Sequence, residues 1–270
     1  MSIIRSDYEK LKQGPAYQNF SQNNTIIGSW DDHDYGMNDG GVEFDKKQES
    51  QQLFLDFMDV AKDDKRRKQE GVYTSYDYVV GKHSIKIIVL DTRYFRSGLT
   101  KNPNPAPDKR YLPNKYGEGT MLGAKQWQWL ERELKQSNAE FNVILSSIQV
   151  LSPSHGFEKW ANMPHELDKL ENLIKSSQAQ NVIVLSGDRH ISEIAKKNIN
   201  GLDYPLIDFT SSGLNRALNF EKIEPNPYRV GNNVVVDSFG LLHFDFENHR
   251  VVMEIRGEQN KLLKRFEQAY

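Results

Sequence analysis

One segment of the sequence constrains the fold more than any other: an apolar run that ends abruptly in acidic residues. The run 26–30 is followed at once by Asp31, Asp32, His33 and Asp34. Short apolar runs are typical of buried strands, and ligands collect beyond the carboxyl ends of strands in an open α/β sheet. The pattern therefore predicts a strand over residues 26–30 that delivers the acids and the imidazole to the rim of a sheet.

The acidic cluster itself has two interpretations. Neighbouring carboxylates repel one another unless cations or hydrogen-bond donors lie among them, which favours a binding site. Aspartate is also common in surface turns and at helix caps, so a purely structural role is the alternative. The cluster follows Trp30 directly, and both interpretations stay open at this point.

The composition argues against several classes of protein. Of the 270 residues, 37% are hydrophobic and 27% are charged, which is enough to build a core and a solvated surface. The net charge of −2 gives no electrostatic reason to expect nucleic acid or an acidic membrane as a partner. The basic run 65–68 is flanked by acids, which favours a solvated loop. No apolar run reaches the roughly 18 residues of a membrane helix, so we expect neither nucleic-acid binding nor membrane insertion.

The absence of cysteine restricts the chemistry further. It excludes disulfides, thiolate ligands and a cysteine nucleophile, so a metal ion must be held by nitrogen or oxygen ligands, which suit harder cations. The first seven residues contain no long apolar segment, which predicts no signal peptide and a chain that stays where it is made. The compartment and the oligomeric state are left open.

Hydrophobic periodicity predicts strands and helices that alternate in α/β or mixed α+β layers. Helices are predicted over 6–20, from residue 50 onward, over 124–136 and over 164–177. Strands are predicted over 72–80, 85–90, 143–150, 182–185, 206–210, 234–236, 241–246 and 251–255. The proline-rich segment 102–113 predicts an irregular surface loop and a candidate lid. No linker divides the chain, which predicts one domain over residues 1–270.

Polar residues follow four of the predicted strands. These residues are Asp32-His33-Asp34, Asp91 with Arg93, Gln149, and Asp188 with His190. Converging carboxylates and imidazoles without cysteine suit a metal site with oxygen and nitrogen ligands. A pair of metal ions about 3.5–4 Å apart can hold a phosphate and lower the pKa of a bridging water. A histidine outside the metal ligands, oriented by a carboxylate such as that of Asp34, can then protonate the leaving group or stabilise charge on the phosphoryl oxygens.

Two further residues have a structural alternative. Arg93 can clamp an oxyanion through planar, bidentate contacts, or it can form an ion pair with a nearby aspartate and hold the loop. His155 follows the strand predicted over 143–150 and is placed where a ligand is expected. A single histidine in a loop is more often only a part of that loop.

Three of these motifs resemble those of the alkaline phosphatase D (PhoD-like) family of calcineurin-like metallophosphoesterases. The motifs are Trp30–Gly36, Leu90–Tyr94 and Leu185–His190, and the segments 147–150 and 158–162 are similar as well. The resemblance runs over nearly the whole chain. It implies a sandwich of two mixed sheets flanked by helices, with metal ions at the strand ends, and hydrolysis of phosphomonoesters or phosphodiesters by a metal-activated water.

The resemblance also implies roles for individual residues. Asp32 stands where the superfamily motif Gly-Asn-His-Asp/Glu has its asparagine, which implies a metal ligand. His33 matches the catalytic histidine, and Asp34 matches the acid that orients it. Asp188 and His190 match the Gly-His-x-His motif, with aspartate in place of the first histidine, and both are implied metal ligands. Arg93 is added to the catalytic residues as an extrapolation, in the role of a phosphate contact.

The beginning of the chain departs from the superfamily pattern. Its members start with a strand that ends in Asp-x-His, followed by Gly-Asp-x-x-x-Asp, and neither motif precedes Asp31. The domain is therefore predicted to be truncated at its N-terminus. Some relatives bind iron through cysteine and tyrosine together with calcium, which implies divalent or mixed metal ions as cofactors. The resemblance favours a metal-dependent phosphoester hydrolase with a small phosphoester substrate. The alternative is a catalytically impaired fragment that serves as a structural or ligand-binding module.

Overall fold

The densest apolar runs form the centre of a six-stranded sheet in the computed structural model, which describes residues 1–106, 109–218 and 224–270. Four parallel strands lie in the middle, and one antiparallel strand closes each edge. In spatial order the strands are β1 (Thr74–Val80), β2 (His83–Val89), β5 (Phe141–Leu145), β6 (Val182–Ser186), β8 (Leu206–Ser211) and β7 (Ser192–Lys197). The parallel strands place their carboxyl ends, and the loops that follow them, along one side of the sheet.

A second, antiparallel sheet packs on one face of the first. It consists of β9 (Ser238–Asp245), β10 (Arg250–Gly257) and β11 (Leu262–Ala269), in the spatial order β11, β10, β9. A shared apolar core joins the sheets and includes Phe141, Ile183 and Phe209 from the first and Val251 and Met253 from the second. The predicted two-sheet sandwich and terminal hairpin are confirmed, and β7 and β11 are strands that the periodicity did not indicate.

Two amphipathic helices cover the other face of the six-stranded sheet. They are α5 (Gly123–Lys135) and α6 (Pro164–Ser177), which agree with the helices predicted over 124–136 and 164–177. Trp127, Leu130 and Ile174 belong to the largest apolar core, which these helices form with the sheet. The mixed α/β class predicted from the alternating pattern is therefore confirmed. None of the described helices is both long and apolar enough to cross a bilayer.

The N-terminal quarter builds a separate aromatic core. It contains α1 (Ser2–Gln13), α2 (Pro15–Asn23), α3 (Asp32–Tyr35) and α4 (Lys47–Phe57). The single helix predicted over 6–20 is wrong in its extent: it begins earlier, at Ser2, and Gly14 interrupts it with an extended backbone conformation before Pro15 restarts it. The α4 helix, the second one predicted, begins slightly before residue 50 and contributes Phe54 and Leu55 to this core.

Four predicted elements differ from the structure. The strand predicted over 26–30 is wrong, because the segment pairs with no other strand in the described part of the chain and Trp30 instead anchors it by donating to Asp91 Oδ1 at 3.0 Å. The strand predicted over 143–150 ends at Leu145, and residues 234–236 form only an isolated bridge. The segment 102–113 is largely a hairpin of β3 (Thr100–Ala106) and β4 (Lys109–Leu112) instead of an irregular loop, and Pro107 lies outside the described residues.

Candidate metal centre

The loops at the carboxyl ends of the parallel strands surround a cavity of about 530 Å³. Acidic, basic and apolar residues all line it. The charged residues and histidines that line it include Asp31, Asp32, His33, Arg110, Asp188, Arg189, His190 and Arg216. The polar groups that follow residues 30 and 185 are far apart in the sequence but meet at one rim, as predicted from the sequence.

Three carboxylates converge in this cavity. Asp31, Asp32 and Asp188 each offer an oxygen, and these oxygens all lie within 4.8 Å of one another. Two of the three were predicted as metal ligands, but Asp31 was not assigned a role. The available signal was its place in the acidic run, and the superfamily motif used for the assignment begins one residue later. The structure describes no other cluster of this kind.

The short helix α3 fixes the first two carboxylates. Asp31 caps the helix, and its own amide donates to Asp34 Oδ1 at 2.6 Å, so that the two residues form a reciprocal capping pair. Asp32 is nearly buried, and its two oxygens accept hydrogen bonds from the amides of His33 at 2.8 Å and Asp39 at 3.0 Å. The cluster is therefore held by backbone groups and does not depend on flexible side chains.

The third carboxylate follows β6 on a strained turn. Asp188 has a backbone φ of 69°, in the left-handed region that few residues other than glycine and asparagine occupy. Burial raises the pKa of Asp188 well above its ordinary value, and the charges of Asp31 and Glu158 raise it further, against the opposing effect of Arg93. A divalent cation between these carboxylates relieves the repulsion. The donor set, three carboxylates with an imidazole nearby, fits a hard cation with oxygen-rich coordination.

His190 lies in the same cavity and is fixed by a backbone carbonyl. Its Nδ1 is 2.7 Å from the carbonyl oxygen of Arg216. A proton on Nδ1 makes this contact a hydrogen bond and leaves the Nε2 lone pair free, which is the usual arrangement of a histidine that binds a metal ion. The imidazole is outside the three-carboxylate cluster, so its predicted role as a ligand stays a prediction.

His33 faces the cavity, but Asp34 does not face His33. The His33 side chain is 81% exposed, and its Nε2 lies 3.9 Å from Asp32 Oδ2. Asp34 instead accepts hydrogen bonds from the Asp31 amide and, at 3.1 Å, from the hydroxyl of Tyr8. The predicted orienting role of Asp34 is therefore corrected: successive residues of a helix point in different directions, and the carboxylate beside His33 is that of Asp32.

Arg93 is buried beneath the cavity and does not line it. Its side chain is 0% exposed and forms ion pairs with Asp31 and with Glu158, which also pairs with Arg96 at 2.9 Å. This geometry agrees with one of the two interpretations of Arg93, the ion pair with a nearby aspartate. The partner is Asp31 and not Asp91. Its predicted contact with phosphate is corrected accordingly, since the guanidinium has no exposed surface.

Three other arginines reach the cavity and were missed by the sequence analysis. Arg110 is half exposed, and its guanidinium lies 5.3 Å from the ring of Phe157, while that of Arg189 lies 4.3 Å from the same ring. Arg189 also pairs with Glu224 at 2.8 Å. Arg216 follows β8 and also lines the cavity. Arg189 lies inside the motif 185–190 but was given no role, and no motif marks Arg110 or Arg216, because the three arginines come from separate parts of the chain.

Gln149 and His155, the two remaining polar residues after predicted strands, are buried away from the cavity. Gln149 donates to Glu193 at 2.9 Å and to Thr210 at 2.8 Å. His155 Nδ1 accepts from the amide of Phe157 at 3.2 Å, and burial lowers the pKa of His155 well below its ordinary value. Both residues therefore hold the loops next to the site through buried hydrogen bonds.

Comparison with known proteins agrees with this arrangement. A solved structure described as "Structure of PhoD" has the same fold, with a TM-score of 0.62 at 19% sequence identity over 89% of this chain and 51% of that chain. This likeness defines a mixed α/β fold. Residues 4–210 match the sequence model of the PhoD-like phosphatase family, and the chain therefore belongs to that family. The resemblance drawn from the three motifs is confirmed.

A curated relative also supports membership of this family. The chain is 31% identical over 162 residues to alkaline phosphatase D of Bacillus subtilis (strain 168), which corresponds to 52% of this chain and 27% of that protein. The chain thus spans about half the length of the solved relative and the match about a quarter of the curated one.

Proposed function

We propose that this chain hydrolyses phosphate esters with the help of a divalent cation bound by Asp31, Asp32 and Asp188. The observation that carries the proposal is the convergence of these three carboxylates within 4.8 Å in an open cavity of about 530 Å³. Membership of the PhoD-like phosphatase family supports the same reaction class. His190, with its Nδ1 held by the Arg216 carbonyl, is proposed as an additional ligand through Nε2.

The chemistry divides between the cation and the protein. When bound, a divalent cation polarises the phosphoryl oxygens and lowers the pKa of water. His33 is proposed as the general acid, because it is exposed to the cavity and a carboxylate lies 3.9 Å from its Nε2. Asp32 thus belongs to the carboxylate cluster and also lies beside the His33 imidazole. Arg93 neutralises part of the negative charge of the cluster through its ion pair with Asp31.

The arginines of the cavity are suited to the substrate. Arg110 and Arg216 line the same cavity as the acids and attract an anionic ester toward the cation. The volume admits a small phosphoester, either a monoester or a diester. Calcium is the first cation to test because the cluster consists of carboxylate oxygens. Iron is the second, because the family resemblance of the motifs implies mixed metal ions.

The test is metal-dependent cleavage of chromogenic esters. Metal-free protein is assayed at alkaline pH with p-nitrophenyl phosphate and with bis(p-nitrophenyl) phosphate, before and after calcium, manganese or iron is added. We expect cleavage only with metal, and its loss in Asp188→Asn, which removes one charge but keeps a residue that tolerates the left-handed backbone. The matched control is Asp63→Asn, an exposed aspartate outside the cavity. Absence of cleavage with every metal refutes the proposal for this chain.

A catalytically impaired, metal-binding module is the second candidate. One observation favours it: the described residues hold a single cluster of three carboxylates, which suits one cation. This candidate predicts that calcium raises the melting temperature of the protein while neither ester is cleaved. Turnover of either ester that depends on Asp188 excludes it.

A further inference from the structure

The outer edge of β9 is only partly paired. The amide of Ser238 donates to the Gly213 carbonyl at 2.8 Å, and that of Gly240 donates to Ser211 Oγ at 2.8 Å. Because backbone groups on one side of an antiparallel strand recur every second residue, those of Leu242 and Phe244 point the same way. β9 ends its sheet, and no described residue forms a hydrogen bond with these groups. Such an edge is a template for another strand.

A row of apolar side chains lies across from this edge. Leu145, Leu185 and Phe209 are neighbours in register on β5, β6 and β8. Leu145 is the only residue of β5 that is not buried, and Leu185 is the only such residue of β6. Central parallel strands are normally covered on both faces and buried throughout. The two leucines therefore form a partly exposed apolar patch in the middle of the larger sheet.

The edge and the row are two walls of one groove. The groove has a volume of about 340 Å³ and is lined by Leu145, Leu185 and Phe209 on one side and by Gly240 and Leu242 on the other. The two sheets meet at Gly240, where an added Cβ would lie 2.7 Å from the ring of Phe209. One wall thus offers backbone hydrogen-bonding groups and the other offers apolar surface. This combination is the one by which an added β-strand is bound.

We infer that this groove binds an extended polypeptide segment from outside residues 1–270, which pairs with β9 at Leu242 and Phe244. Its alternate apolar side chains cover Leu145 and Leu185. A small apolar molecule leaves the backbone groups of β9 without partners. A second copy that pairs β9 with β9 leaves the leucine row uncovered, since the row belongs to the other sheet.

The length of the relatives supports this source for the strand. The solved structure of the same fold shares 51% of its chain with this one, so that protein has chain outside the matched part. The groove opens beside Asp31 and Asp188, which also line it. A strand seated there therefore lies next to the acidic cluster and shields it from water on that side.

Amide hydrogen exchange of the whole 270-residue protein tests the inference. The probe is a capped peptide of alternating threonine and valine, about six residues long, which spans the open part of the edge. We expect it to slow exchange of the Leu242 and Phe244 amides by at least about tenfold. The control peptide has proline in place of the central valine, which removes a donor that the strand needs, and it is expected to give no protection.

Two variants distinguish binding in the groove from non-specific binding of the peptide. Leu185→Thr removes apolar surface from the groove at a position that is not fully buried, and it is expected to abolish protection. Val79→Ser removes apolar surface from the 73% exposed Val79 on the edge strand β1, and it is expected to change nothing. Equal protection by both peptides, or by neither, overturns the inference. Protection without peptide that grows with protein concentration assigns the groove to a second copy and overturns it as well.

Discussion

The guanidinium of Arg93 forms an ion pair with the carboxylate of Asp31, directly beneath the acidic cluster. Glu158 holds the same guanidinium from the other side, and both Arg93 and Glu158 are buried. The positively charged Arg93 side chain thus balances part of the negative charge of the cluster. This explains how three carboxylates can lie within 4.8 Å of one another in the folded protein.

Loss of this buried cation is expected to be costly. Arg93→Met leaves Asp31 without its partner and leaves Glu158 with Arg96 alone, and breaking a buried ion pair typically costs about 3–5 kcal/mol of unfolding free energy. Urea denaturation measures the difference. Arg250→Met is the control, because its ion pairs with Asp245 and Glu267 lie at the surface and should contribute much less to stability. Equal losses in the two variants would contradict the structural role of Arg93.

Cation binding is expected to stabilise the protein. A ligand that binds only the folded state at about 100 times its dissociation constant adds about 2.7 kcal/mol to the unfolding free energy. We therefore expect calcium to raise the melting temperature, measured by calorimetry before and after chelation. Asp188→Asn should lose most of this increase and Asp63→Asn should keep it. A calcium response that is the same in both variants places the cation elsewhere.

His33 and Asp34 are expected to respond differently to substitution. His33→Ala should lower kcat by about 10²–10⁴-fold, as for a lost general acid, with little change in stability because the side chain is exposed. Asp34→Asn should mainly lower stability, since it weakens the contacts with Tyr8 and the Asp31 amide. Steady-state kinetics and thermal melting of both variants separate the two effects, with His249→Ala as the exposed control. If His33→Ala keeps full kcat, another group protonates the leaving oxygen.

The pKa of Asp208 gives a pH prediction. Burial raises the pKa of Asp208 to about 6, despite hydrogen bonds from Ser186 and from the amides of Leu151 and Val150. Between the unfolded value of 3.8 and about 6, the folded protein keeps a proton that the unfolded chain has released. Stability therefore falls as pH rises through this window, by on the order of 3 kcal/mol.

The variant Asp208→Asn provides the reference for that measurement. The substituted side chain cannot titrate, and its amide oxygen can still accept from the two backbone amides. The difference in unfolding free energy between the natural protein and Asp208→Asn should therefore shift against the natural protein from about pH 4 to pH 6. A difference that is independent of pH would show that Asp208 keeps its ordinary pKa.

Gly240 tests the contact between the two sheets. An added Cβ at this position would lie 2.7 Å from the Phe209 ring, so Gly240→Ala should cost about 1–3 kcal/mol through overpacking. Gly98→Ala is the matched control, because an added Cβ there meets no atom within 4 Å. Urea denaturation compares the two, and an unchanged midpoint for Gly240→Ala would mean that the sheets separate easily.

The sequence by itself determined the layers and the position of the chemistry. Periodicity placed α5 and α6 and most of the central strands, because a helix or strand must turn its apolar side chains toward a core whatever its partners are. The motifs around Asp32 and Asp188 placed acids after residues 30 and 185, and the motif pattern supplied the family. These features depend on residues that are close together along the chain.

Only the tertiary structure decided which polar groups meet. Arg93 contacts Asp31 and Glu158, which are 62 and 65 residues away. Asp34 accepts a hydrogen bond from Tyr8, which precedes it by 26 residues. The segment 26–30 pairs with no described strand although its composition favours one. Spacing along the chain carries no information about such partners. Packing selects them, because a buried charge or donor must be satisfied by whichever group the fold brings within reach.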